Sequence, residues 1–536
     1  MRWVRRDSEV DEQLPGATDW VYLFEQDEGV AEGVSMTCDR RWPVALLGLV
    51  LLGSSVSAGP PARPDPAAVD AVIRDALKAW GVPGVAVAVV RDDQVVYLKG
   101  HGLREAGTDR LVTPDTVFPL ASCTKAFTTT VMAMLVDEGK MSWDDPVRKH
   151  LDWFHLSDPL ADRDVTLRDL VTHRTGVGTH NMLWYRSPLS QEEVVRRAGL
   201  LPLDKPFRTT LQYQSTMFTA AGLAAGAAAK TTWESLVRKR ILQPLEMSGA
   251  SLTTVEAEKA ADRAMPHRPG RDGKPEVIDW YPQETPNPAG SLNATARDLA
   301  KWLRFQLAEG RCDGKRLVGA EALRETHTPQ FALPVTGTER DLNPETNLMS
   351  YGMAWLIQDY RGKLLVSHAG AIDGFRAELM LMPREGLGIA LLFNRDQSRM
   401  NLALGNSLLD LFLGLPRKDW NAYFLDVVKK ERADAKARVE KRLAQRQANT
   451  KPSLPLAAYA GTYDHPAYGK ARITVEDGTL VFRWRSFRRP LEHFHYDTFL
   501  VEEGDLGGTA VTFTLGAGAT SSMKVDEPLG VEFTKK

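Results

Sequence analysis

Residues 118–127 read Phe118-Pro119-Leu120-Ala121-Ser122-Cys123-Thr124-Lys125-Ala126-Phe127. They set a serine and a lysine three positions apart where an apolar helix begins. Upstream, Thr116-Val117-Phe118-Pro119 reads as an extended run closed by proline; downstream, Ala126, Phe127, Val131, Met134 and Leu135 recur at helical spacing. Positions i and i+3 share one face of a helix, so the Lys125 amine lies beside the Ser122 hydroxyl. A serine hydroxyl is a poor nucleophile near neutral pH, and a lysine serves as its base when desolvation or a neighbouring cation lowers its pKa. Backbone N–H groups at the helix start favour developing negative charge. The stretch outlines acyl-transfer chemistry, with Ser122 as nucleophile and Lys125 as base. A second Ser-x-x-Lys, at Ser521 and Lys524, lies in a Gly/Ala/Ser-rich run without helical period and reads as coincidence.

The flanks place this helix after a sheet. Ala67 to Trp80 is an amphipathic helix, Gly84 to Val90 a strand, Asp92-Asp93 a turn, and Gln94 to Gly100 the return strand. The serine helix runs to about Glu138 and stops at Gly139. A long helical insertion follows. It includes Leu167 to His173, a capping box at Ser190 to Glu193, an Ala/Gly-rich helix over Met217 to Ala229, a helix over Thr232 to Leu242, and one capped by Thr295 and Asp298 that runs to Leu307. Tyr351 to Gln358, Lys363 to Ser367, Phe375 to Met382 and Gly388 to Phe393 read as successive antiparallel strands, and Met400 to Leu413 as an apolar helix that closes the domain. The expected fold class is α+β, an antiparallel sheet flanked by helices with a helical subdomain, in which the first and last strands join one sheet. Residues 67–415 form this unit and 416–455 a charged linker whose helix, over 425–448, is exposed. Residues 456–536 are a small all-β domain with strands at Ala471 to Val475, Leu480 to Trp484, Thr498 to Val501 and Thr509 to Leu515, and a hairpin turn at Asp477-Gly478.

A net charge of −2 excludes a broad nucleic-acid surface, and the basic excess of the linker helix reads as a solvated face. Three cysteines, Cys38, Cys123 and Cys312, make neither a zinc pairing nor a disulfide framework, so no metal or cofactor is expected. From Met36 the chain shows Arg40-Arg41, the apolar run Pro43 to Leu52, and small residues ending in Val56-Ser57-Ala58. That is the pattern of a cleaved signal peptide, too short for a membrane span. We therefore expect residues 1–35 to be an upstream extension, 36–58 a leader, and 59–66 a Pro-rich tether of an exported protein, periplasmic or secreted. No stable membrane span is expected after cleavage.

Two later motifs add to the site. Tyr213-Gln214-Ser215 ends an irregular stretch before the Ala-rich helix, and a phenol beside a lysine can shuttle protons. Its position favours it over a second Tyr-x-Ser at Tyr185 to Ser187. His368-Ala369-Gly370 follows a strand and precedes the turn Ala371-Ile372-Asp373-Gly374. A histidine at a strand edge can donate to a substrate, and the glycine allows a substrate backbone close.

The ordered set Ser122-x-x-Lys125, Tyr213-x-Ser215 and His368-x-Gly370 resembles the penicillin-recognising serine hydrolases. It is closest to the class C β-lactamase-related branch of esterases, D-aminopeptidases and D-stereospecific carboxypeptidases. Pro83 to Ala86, Leu170 to Gly176, Pro288 to Ser291, Tyr351-Gly352 and His368 to Phe375 carry the resemblance further. Around Tyr459 to Tyr463 the last domain is similar to the lipocalin-like barrels appended to some of these hydrolases. The resemblance implies Ser122 as the acylated residue, Lys125 and Tyr213 as proton-transfer groups, the N–H groups of Ser122 and Ala371 as the oxyanion hole, and Ser215, His368 and Gly370 as substrate contacts. The chain departs from the β-lactamase pattern at Ser215, where those enzymes have Asn, and at His368-Ala369, where they have Lys-Thr to grip a carboxylate. The expected activity is cleavage of a small-molecule ester or a D-amino-acid-containing peptide. A β-lactamase and a non-turnover sensor or binding protein are the alternatives; the substrate and oligomeric state are left open.

Overall fold

A computed structural model describes residues 63–536, apart from 271, 503, 505 and 517. The extension, the leader and residues 59–62 of the tether lie outside the described residues. The first helix, Pro66–Trp80, is capped by the Asp65 side chain, opens on proline, and ends at Gly81 in the left-handed region. Its Val69, Ile73, Ala76 and Trp80 are buried at helical spacing.

Eight antiparallel strands form the main sheet, in the order Gln94–Gly102, Gly84–Arg91, Leu387–Phe393, Phe375–Met382, Lys363–Ile372, Leu356–Tyr360, Met349–Tyr351, Phe331–Leu333. The first and last long strands are neighbours, with Val85 opposite Phe393. The run Val85 to Val90 is buried throughout because helices cover both faces. Ala86, Ala88 and Val90 join the core of Phe127, Leu299 and Trp302. Val85, Val87 and Val89 join the core of Ile73, Leu404 and Leu408. The period of two divides one apolar strand between two helical layers.

Several boundaries differ from the sequence reading. Tyr351 to Gln358 is two strands and a turn, with Tyr351 opposite Leu356 and Ala354 at φ +67°. Met353, Ala354 and Trp355 are fully buried, so the turn looks apolar in sequence. The Ala-rich helix is Ser215–Ala228, beginning two residues before Met217. Ser190 caps its helix, but Glu193 turns its carboxylate to Arg197, 2.6 Å away, and does not complete a capping box. The helix after Thr232 is α-helical only to Val237 and continues as a π-turn over Arg238–Leu242.

The charged helix is Trp420–Ala444. It is anchored by Trp420 and Phe424, both buried, with Trp420 Nε1 donating to Asp410 at 2.7 Å. The last domain is a closed eight-stranded antiparallel barrel, from Gly461–His465 to Val531–Lys535. Side chains fill its interior, where the rings of Tyr459, Phe499 and Phe513 meet at 5.0–5.8 Å. Asp477 and Gly478, both at positive φ, make the expected hairpin turn.

Candidate active site

The serine turn is held from both sides. Leu120 N–H donates to the Leu292 carbonyl at 2.8 Å, and Leu292 N–H donates to Thr124 Oγ1 at 3.0 Å. Ala121 lies at φ +45°, a conformation that costs a residue with a Cβ about 1–3 kcal/mol and that clusters at functional sites. Ser122 follows it in a 3₁₀ turn, Ala121–Cys123, which feeds the helix Thr124–Asp137.

The structure brings Ser122, Lys125, Tyr213 and Ser215 together. Lys125 Nζ lies 3.0 Å from Ser122 Oγ, 2.9 Å from the Ala289 carbonyl and 3.4 Å from Ser215 Oγ. All three partners are neutral oxygens. Lys125 is fully buried, and desolvation brings its pKa from 10.5 down to about 7. Its ammonium also lies 4.9 Å from the centre of the Tyr213 ring. Burial pushes the Tyr213 phenol well above its ordinary value, with the hydrogen bond to Ser122 opposing the shift. At neutral pH the amine is therefore titratable, and the phenol keeps its proton. Two groups with their pKa values driven apart are what separate base and acid roles require.

His368 lies at the same centre but is not a cation. Burial and the nearby Lys125 push its pKa down to about 3. Its Nδ1–H donates to the Ala369 carbonyl at 2.5 Å, and Nε2 accepts from Tyr351 Oη at 3.3 Å. Both ring nitrogens thus face protein partners. The open face of Gly370 is also taken by protein: a Cβ there would meet the Leu120 carbonyl at 2.0 Å and the Cys123 nitrogen at 3.3 Å. Here the glycine lets the serine turn press against the strand, where the sequence reading expected a substrate backbone. Strand Lys363–Ile372 pairs with Leu356–Tyr360 only as far as Ser367, so Ala371 lies on a stretch whose outer edge has no strand partner.

Three contributors were not picked out as site residues in the sequence. His173, at φ +55°, sets its ring 4.3 Å from that of Tyr213, tilted by 40°, and accepts the Gln214 N–H at Nδ1 (3.0 Å). Tyr351 holds His368, and the Ala289 carbonyl holds Lys125. Each stretch was visible only as part of the wider resemblance. The second Tyr-x-Ser, Tyr185-Arg186-Ser187, also lies nearby: Tyr185 Oη and Arg186 Nη2 donate to Asp373 at 2.8 and 2.9 Å.

The sequence model described as "Beta-lactamase" matches residues 69–412. The chain belongs to the β-lactamase family. It is a serine hydrolase of the β-lactamase and penicillin-binding-protein kind. A second model, described as a domain of unknown function (DUF3471), matches residues 445–535. The "Unguisins hydrolase ungD" of Aspergillus violaceofuscus is 29% identical over 437 residues, 76% of each chain. "Penicillin-binding protein 4" of Amycolatopsis lactamdurans is 29% identical over 60% of this chain and 83% of its own. Among solved structures, the octameric penicillin-binding protein homologue from Pyrococcus abyssi superposes with a TM-score of 0.58, covering 88% of this chain and all of that one at 21% identity. That likeness is one of fold, and it spans both the catalytic domain and part of the barrel. No described helix is long and apolar enough to cross a membrane.

Proposed function

We propose that this hydrolase is exported and cleaves an ester or peptide bond, D-amino-acid-containing peptides included, through an acyl-enzyme on Ser122. The observation that carries the reading is Lys125 Nζ, buried among neutral oxygens and 3.0 Å from Ser122 Oγ. In the neutral form Lys125 takes the Ser122 proton as Oγ attacks the carbonyl carbon. The Tyr213 phenol gives its proton to the departing alcohol or amine and recovers one from the lysine. The N–H groups of Ser122 and Ala371 receive the oxyanion, each worth about 3 kcal/mol. Water then attacks the acyl carbon by the same proton route in reverse and frees Ser122. His368, held neutral, offers no charge to a substrate carboxylate, which supports an ester or an open-chain peptide bond over a β-lactam.

The test expresses the chain from Met36 in a secreting host and assays a p-nitrophenyl acyl ester beside Ser122→Ala. The expected product begins at Gly59, hydrolyses the ester, and loses that activity in the variant. Equal rates in the two proteins would refute the assignment. A stable adduct on Ser122 without turnover would make the protein a binding protein or sensor.

A further inference from the structure

Residues 178–186 lie between the candidate site and the barrel, and they touch the site at both ends. The Gly178 carbonyl accepts from the Gln214 side-chain amide, and Gln214 stands between Tyr213 and Ser215. The side-chain Oε1 of Gln214 in turn accepts the Thr216 N–H at 3.0 Å, capping the start of the helix. At the far end, Tyr185 and Arg186 hold Asp373, two residues beyond Ala371. One segment therefore spans from the tyrosine motif to the end of the His-x-Gly strand.

Its middle is a single turn, Asn181–Leu183, entered through His180 at φ +39°. The turn's own hydrogen bonds use the carbonyls of His180 and Asn181, not those of Met182 and Leu183. The latter two accept from Nη1 of Arg485, at 2.8 and 3.0 Å. Arg485 belongs to the barrel. It forms the turn between strands Thr479–Trp484 and Phe487–His495, at φ +50°, with its guanidinium 4.3 Å from the centre of the Trp484 ring. Beside it, barrel Tyr468 Oη is hydrogen-bonded to His180 Nδ1 at 3.0 Å. Burial brings the Arg485 pKa down only to about 10, so it stays charged at neutral pH. A partly buried cation held by two carbonyls, without a carboxylate, is costly to keep. What it does is tie a turn of the catalytic domain to the barrel.

We propose that Arg485 is a positioning residue for the hydrolase: through residues 178–186 the barrel sets the placement of Tyr213 and of the strand end at Ala371. The inference rests on the Ser122 reading. A small displacement of a proton-transfer group costs up to about a hundredfold in rate, so the effect belongs in kcat.

The experiment uses the full chain, with Arg485→Met, Arg485→Lys and Tyr468→Phe, and reads kcat and KM separately on a short p-nitrophenyl ester. Circular dichroism and the thermal midpoint are measured on the same samples. We expect Arg485→Met to lower kcat about ten- to a hundredfold with KM nearly unchanged, on a folded protein. Arg485→Lys should recover part of that loss, because one ammonium can still donate to a carbonyl. Tyr468→Phe, which loses only a hydroxyl, should lower kcat severalfold and guards against misfolding of the arginine variants. Wild-type kcat in folded Arg485→Met, or a change confined to KM, would overturn the proposal. No Ser122-dependent turnover in the wild type would overturn the hydrolase reading, and this inference with it.

Discussion

Replacing Lys125 by Met should make the protein more stable while abolishing its activity. Lys125 titrates at about 7 in the fold against an ordinary 10.5. Each unit is worth about 1.36 kcal/mol, so the buried amine costs about 5 kcal/mol at low pH and about 4 kcal/mol at pH 7, where it is half neutral in the fold, relative to the unfolded chain. The side chain is fully buried, so solvent does not screen this penalty. Methionine keeps most of the stem but leaves the Ala289 carbonyl, now 2.9 Å from Nζ, without its donor. An unmet buried carbonyl costs about 1–3 kcal/mol, which leaves the variant about 1–3 kcal/mol more stable at pH 7. The sign follows from proton counts. Between pH 7 and 10.5 the unfolded chain holds the lysine proton and the folded chain does not, so the wild type gains stability as pH rises. The penalty is full below about 7, falls to about 2 kcal/mol at pH 9, and vanishes near 10.5. Urea unfolding of both proteins at pH 7 and pH 9, beside an ester assay, reads all of this. The variant should lead at pH 7, draw level near pH 9, and show no turnover. A variant less stable than wild type at pH 7, or a difference that does not change with pH, would refute a neutral buried lysine.

Two further outcomes follow from the same geometry. The kcat/KM of the wild type should rise with pH through about 7, as Lys125 loses its proton, and fall about tenfold per unit below pH 6; a flat profile from pH 5 to 8 would remove Lys125 as base. Gly370→Ala places a Cβ 2.0 Å from the Leu120 carbonyl, so the serine turn must shift. We expect a loss of at least about a hundredfold in kcat with the barrel intact, and wild-type activity would show that the turn is not set by that contact.

Much of the catalytic domain could be read along the chain because its signals are local. The apolar spacing of the first helix carries it to Trp80, although its start at Asp65 and Pro66 falls in what reads as tether, and Thr295 with Asp298 caps its helix as expected. The structure departs from the sequence pattern where burial overrides it. Met353, Ala354 and Trp355 are as apolar as a strand, yet they are a buried turn with Ala354 in a left-handed conformation. One barrel strand is hidden in the sequence for the opposite reason. Strand Phe487–His495 exposes or half-exposes its arginines and histidines and buries Phe487, Leu491 and Phe494, so its sequence resembles a polar loop until the barrel closes around it.

By itself the sequence determined which residues could do chemistry: Ser122 and Lys125 are three apart across a helical turn that feeds an α-helix, and that neighbourhood follows from local backbone geometry. It also determined the order of elements, through apolar period, caps and turns. The tertiary structure decided everything that depends on distant neighbours. It brought Tyr213, Ala289 and His368 to Lys125, gave the side of Gly370 to the Leu120 carbonyl, and set barrel Arg485 on the carbonyls of Met182 and Leu183. It also decided the charges. The pKa values of Lys125 and His368 are set by how much water the surrounding elements exclude, and no stretch of sequence contains that quantity.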